Sequence, residues 1–159
     1  MHSATPAPAM RAISPAVGAM PPVAVHWRPS VLVVEDEPAI RMLLRDLLED
    51  AGMHVEDAKD AETALCLLSV AAEVGGRYRV LVTDVNLGRG LDGVALAALA
   101  RGHAPNIRVI YVTGNPERVF GRSGGSGFRE RVIGKPFANS ELVATVLDLA
   151  ASPAVGANC

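Results

Sequence analysis

The chain has 159 residues, half of them apolar, with 17 acidic against 15 basic side chains and a net charge of −2. That length fits one domain with tails, and the apolar share is ample for a core. The charge balance excludes bulk attraction to nucleic acid or to an anionic membrane surface, and no apolar run is long enough to span a bilayer. Cys66 and Cys159 have neither metal-ligand spacing nor a pairing pattern, which reads as free thiols in a reducing cytoplasm.

In chain order, residues 1–29 come first, with six prolines, Arg11, Arg28 and no acid. Pro15, Pro21 and Pro22 break the apolar stretch Ala12–Val25, so a disordered arm is expected there and a secretory signal is not. A domain over residues 30–151 follows, then a short disordered tail over 152–159 that is small and contains Pro and Gly. Strand one is Val31–Val34, an unbroken apolar run. A helix starts near Pro38, where a missing N–H costs nothing. Its apolar face is Ile40, Leu43, Leu44, Leu47, Leu48 and Ala51, with Arg41, Arg45, Asp46, Glu49 and Asp50 on the wet side. Strand two, His54–Ala58, carries the charges of a sheet edge. Helix two spans Ala61–Val74 with Ala61, Ala64, Leu65, Leu68 and Ala72 inward.

Strand three is Val80–Thr83, and helix three, rich in alanine, is Gly93–Arg101. Strand four is Arg108–Val112 and strand five Val132–Gly134. The last helix is Asn139–Ala150 with Leu142, Val146 and Leu149 inward. Between strands four and five, Gly121, Gly124, Gly125 and Gly127 each cost a helix about 1 kcal/mol against alanine. The fourth helix is therefore expected to shrink to Pro116–Phe120 and give way to a loop. Strands alternating with helices predict a doubly wound parallel sheet of α/β class.

Three strands end in chemistry: VLVVEDEP at Val31–Pro38, VLVTD at Val80–Asp84 and VIGKPF at Val132–Phe137. In an open α/β sheet the loops at the carboxyl ends of the strands form the ligand crevice. Glu35, Asp36, Asp84 and Lys135 would converge there. Carboxylates so close repel one another. A hard divalent cation resolves the conflict, and Mg2+ suits a shell of carboxylates and water. Singly, each residue has a plainer use: Asp36 as an acid at a helix N-terminus, Thr113 as a strand residue, Lys135 as a solvated cation.

On Glu35-Asp36, Asp84, Thr113 in VIYVTG and Lys135-Pro136-Phe137, in that order at the ends of strands one, three, four and five, the chain resembles the receiver domain of two-component response regulators, the CheY-like fold. The resemblance runs from about Val31 to about Ala150. It implies strand order 2-1-3-4-5 and Asp84 as phosphoacceptor. It also implies Mg2+ on Asp36, Asp84 and the backbone carbonyl of Asn86, with Glu35 ligating or orienting. Lys135 and Thr113 would contact the phosphoryl group, and Asn86 and Asn115 would tune hydrolysis. The Lys135–Pro136 bond would be cis. The implied donor is a histidine kinase or a histidine phosphotransfer protein, the output partner is an unknown protein, and a homodimer could form through the face of the fourth and fifth helices. Length leaves no room for an output module, which points to a stand-alone cytoplasmic, bacterial regulator.

Three features depart from the pattern. The loop after Asp84 is one residue longer than usual, and Gly88 stands where proline is common. Val132 occupies the place of an aromatic whose rotation reports phosphorylation, and a valine has little to rotate; Tyr111, Phe120 or Phe128 could substitute. The fourth helix is weak. Two rivals follow: a degenerate receiver acting as a scaffold, and a haloacid-dehalogenase-like phosphatase, which would want an Asp where Asn86 stands.

Overall fold

Val31, Leu32, Val33 and Val34 are apolar at successive positions and fully buried, because this strand is covered on both faces. It is the second strand of a five-stranded parallel sheet. The computed structural model describes residues 27–119 and 129–153. Its elements are β1 Ser30–Val34, α1 Pro38–Asp50, β2 His54–Ala58, α2 Ala61–Glu73, β3 Val80–Thr83, α3 Gly93–His103, β4 Arg108–Thr113, β5 Glu130–Gly134 and α4 Asn139–Ala151. The strand order is β2-β1-β3-β4-β5, with β2 at an edge. This is the expected doubly wound, CheY-like topology.

Successive strand residues point to opposite faces, which makes two cores. On one side Val31, Val33, Val80, Val82, Ile110 and Val112 pack with Leu44 and Leu48 of α1 and Leu142, Val146 and Leu149 of α4. On the other, Leu32, Val34, Leu81, Val109 and Tyr111 pack with Ala64 and Leu68 of α2 and Leu96, Ala97 and Ala100 of α3. Asp60 and Asp92 cap α2 and α3, each accepting a backbone N–H at 2.8 Å, from Thr63 and Ala95.

Several expectations need correction. Leu43 is 45% exposed, because it lies about 100° around α1 from Leu44, at the margin of the buried stripe. Ala72 is exposed and Ala71 packs inward in its place, since the last turn of α2 overhangs an open cavity. Arg41 is not simply solvated, as shown below. The expected fourth helix is a single 3-10 turn, Pro116–Arg118. The N-terminal arm up to residue 26, the glycine-rich stretch 120–128 with Phe120 and Phe128, and the tail from residue 154 lie outside the described residues. Among the described residues no helix is long and apolar enough to cross a membrane.

Candidate functional site

The strand ladder carries on past the strands and pins the polar residues that follow them. Glu35 N–H donates to the Ala58 carbonyl at 3.1 Å, Asp84 N–H to that of Val34 at 3.1 Å, and Lys135 N–H to that of Thr113 at 2.8 Å. Four neighbouring strands therefore deliver Glu35, Asp84, Thr113 and Lys135 to one edge of the sheet.

There the Lys135 ammonium donates to Asp84 Oδ2 at 2.8 Å and to Glu35 Oε2 at 3.1 Å. Glu35 is 1% exposed, and its other oxygen accepts the Glu37 N–H at 3.2 Å. Asp84 is half-buried and Asp36 exposed. Asp84 Oδ1 accepts the Asn86 N–H at 3.0 Å, and the Asn86 side chain accepts the Gly88 N–H at 3.3 Å. The Lys135–Pro136 bond is cis.

One carboxylate oxygen from each of Glu35, Asp36 and Asp84 lies within 4.8 Å of the others. Such a set of hard oxygen donors, open to water on the Asp36 side, fits a Mg2+ ion that keeps part of its hydration shell. Thr113 stands one strand over from Asp84. Its hydroxyl oxygen accepts the Asn115 N–H at 3.1 Å, which leaves its proton to donate. No hydrogen bond links it to the carboxylates among the described residues.

The electrostatics follow from burial. Desolvation raises the Glu35 carboxyl above its ordinary value, although the Glu37 N–H and Lys135 pull it down. For Lys135, burial is the largest influence and lowers it, but the bonds to Asp84 and Glu35 together outweigh burial and hold it above the ordinary range. The ammonium thus remains charged among three carboxylates.

Two contributors, Gly93 and Arg41, escaped the sequence reading, and the structure explains a third residue, Gly88. Gly93 opens α3 directly beneath Asp84: a Cβ there would stand 2.0 Å from the Asp84 carbonyl oxygen. Its signal was a glycine straight after the capping Asp92. Arg41 donates to the Glu35 carbonyl at 2.8 Å and pairs with Asp57 at 3.1 Å, tying the acidic loop to β2. An arginine one and a half turns past an acidic pair was the only hint. Gly88 adopts φ +79, which proline's fixed negative φ forbids; this accounts for the departure from proline in the lengthened loop.

The profile of the response regulator receiver domain matches residues 31–147. This chain belongs to that family. The sensor kinase CckA of Brucella abortus is 32% identical over 120 residues, which covers 76% of this chain and 12% of CckA. The transcriptional regulatory protein AruR of Pseudomonas aeruginosa is 31% identical over 121 residues, covering 76% of this chain and 49% of AruR. This receiver therefore spans about half the length, or less, of these curated relatives. A response regulator receiver protein from Sinorhizobium medicae shares its fold, with a TM-score of 0.68 at 24% identity over 77% of this chain and 94% of that one.

Proposed function

We propose that Asp84 accepts a phosphoryl group from a phosphohistidine of a sensor kinase or histidine phosphotransfer protein in a Mg2+-dependent reaction. The phosphorylated receiver then works by protein–protein contact, or hands the group on as a shuttle or sink in a relay. The observation that carries this reading is the Asp84 carboxylate held at a strand end, with Lys135 at 2.8 Å and two further carboxylates within reach of one shared cation.

An oxygen of Asp84 forms the new bond to phosphorus as the bond to the histidine nitrogen breaks, and the imidazole leaves with the electron pair. Bound Mg2+ supplies neutralisation of the charge on the phosphoryl oxygens. Glu35, Asp36, Asp84 and the Asn86 carbonyl would hold it. Lys135 follows the negative charge from the carboxylate to a phosphoryl oxygen as a point charge. The Thr113 hydroxyl donates its proton to another. Asn86 and Asn115 border the path of the water that hydrolyses the acyl phosphate, regenerating the carboxylate and releasing phosphate, so the receiver dephosphorylates itself. Self-association would use the α4 side.

The half-buried Val132 favours a second reading, a scaffold that is never phosphorylated. The phosphatase reading loses support from Asn86, whose backbone N–H binds Asp84 and whose side chain binds Gly88, with no acid in that place. Intact-mass measurement after incubation with acetyl phosphate and Mg2+ separates the readings. Gain of one phosphoryl group, abolished by Asp84→Ala and by a chelator, supports the proposal. No gain from acetyl phosphate or from a panel of phosphorylated kinases, in folded Mg2+-binding protein, leaves the scaffold.

A further inference from the structure

Arg79 and Arg108 stand where β3 and β4 begin, at the end of the sheet opposite the carboxylates. There the connections from α2 to β3 and from α3 to β4 border an open cavity of about 440 Å3. Pockets of roughly 300–1,000 Å3 hold small ligands. The apolar part of the lining includes Leu68, Ala71 and Ile107. The polar part is one-sided: Arg77, Arg79 and Arg108 line the cavity together with the His103 imidazole, and no Asp or Glu does. This occurs in a chain whose net charge is −2.

Part of this charge has a structural duty. Nη2 of Arg79 donates to the Ala150 carbonyl at 2.8 Å and the Ser152 carbonyl at 3.5 Å, and Nη2 of Arg108 donates to the Pro153 carbonyl at 2.6 Å. These contacts meet the negative end of α4, whose last turn has no basic side chain of its own. That duty uses only Nη2 of Arg79. Its Nε and Nη1, the Arg77 guanidinium and the His103 imidazole have no hydrogen-bond or ion-pair partner among the described residues, while the Arg79 guanidinium also lies over the Trp27 ring. No buried side-chain donor or acceptor is left unsatisfied there either, so these groups are open to incoming solvent or ligand. Burial first, then the charges of Arg129, Arg79 and Arg131, hold Arg108 below its ordinary range.

We propose that this cavity is a second ligand site, taking a small molecule that carries a phosphate or carboxylate on an apolar body. The anionic group meets Arg77, the outer donors of Arg79 and His103. Guanidinium groups present the paired donors that oxyanions accept. The apolar body lies against Leu68, Ala71 and Ile107. The whole of β3 separates this site from Asp84, roughly 16 Å at about 3.3 Å per residue, so it stands independently of the phosphoacceptor reading.

Trp27 is the chain's one tryptophan, and its ring centroid lies 5.8 Å from the Arg79 guanidinium carbon. Its fluorescence serves as an optical readout beside Arg79, checked against heat of binding. The full chain, freed of metal by a chelating resin so that no metal sits on the carboxylates, is titrated with phenyl phosphate, benzoate, inorganic phosphate and phenol, with calorimetry alongside. Saturable binding of phenyl phosphate or benzoate is expected, tighter than inorganic phosphate, with phenol silent; which of the two binds identifies the anionic group. Arg77→Glu, at an exposed side chain without a partner, should weaken that binding by about tenfold or more at an unchanged melting temperature. Lys135→Ala should leave it unchanged. The proposal is overturned by three results: no saturable response to either amphiphilic anion, full affinity in Arg77→Glu, or loss of binding in Lys135→Ala, which would place the anion at the carboxylate site.

Discussion

Alanine in place of a glycine at the start of a helix ordinarily stabilises a protein, and Gly93→Ala should do the opposite. Gly93 has no positive φ, so the backbone itself would accept alanine. The obstacle is space. The new Cβ would stand 2.0 Å from the Asp84 carbonyl oxygen, 2.9 Å from its carbon and 3.1 Å from Thr83 Oγ1. Ordinary contact begins at 3.4 Å, so strand end and helix must part by about 1.4 Å. Both are tethered: Asp84 N–H to the Val34 carbonyl at 3.1 Å, and Gly93 N–H to the Val85 carbonyl at 2.8 Å. Overpacking costs about 1–3 kcal/mol, and a backbone obstacle puts this case at the upper end. Helix propensity and the lower entropy of the unfolded chain return up to about 1 kcal/mol. The net is about 2 kcal/mol of destabilisation, a fall in Tm of about 5–10 °C for a domain of this size. Circular dichroism melts and urea titrations measure it. Gly102→Ala in the same helix is the control: nothing lies within 4 Å of its Cβ, so it should gain up to about 1 kcal/mol. Because the displaced atom belongs to Asp84, Gly93→Ala should also slow phosphorylation. A Gly93→Ala protein that melts at or above wild type would refute the reasoning.

Three other outcomes are expected. In metal-free protein Glu35 has a folded pKa above the ordinary 4.5. Its contribution to stability is full below that value and is lost as pH rises through the folded pKa. Glu35→Gln should abolish this decline in denaturation series from about pH 4 to 8 in EDTA, and equal declines in both proteins would count against it. Lys135→Ala removes a cation from among three carboxylates, so Mg2+ should bind more tightly, by roughly tenfold, while phosphorylation slows; weaker Mg2+ binding by calorimetry would show that the lysine organises the carboxylates. Arg41→Ala should cost about 1–2 kcal/mol in urea denaturation through its lost bond to the Glu35 carbonyl, whereas Arg45→Ala, at a more exposed ion pair, should cost clearly less. Equal effects would contradict that distinction.

The order of elements was legible because local rules govern it. Val31–Val34 and Val80–Val82 are unbroken apolar runs, short and rich in β-branched residues as a strand covered on both faces is. The stripe centred on Leu44 and Leu48 marks one helix face. Glu35, Asp36, Asp84 and Lys135 fall together on sequence grounds, because residues that follow buried parallel strands emerge at the same edge of the sheet. What stayed hidden depends on atoms far apart in the chain. Leu43 falls outside the core because the width of the buried stripe is set by the sheet beneath it. Arg41 looks solvated until the Glu35 carbonyl and Asp57 come within its reach.

Gly93 reads as a common glycine at a helix start until the Asp84 carbonyl closes on it. The arginine-lined cavity arises only when the α2–β3 and α3–β4 connections meet. Periodicity and strand-end chemistry are properties of neighbours along the chain, so the sequence by itself determined the sheet, its helices and the composition of the carboxylate site. Close approach, shared hydrogen bonds and cavities are properties of neighbours in three dimensions, and only the tertiary structure decided those.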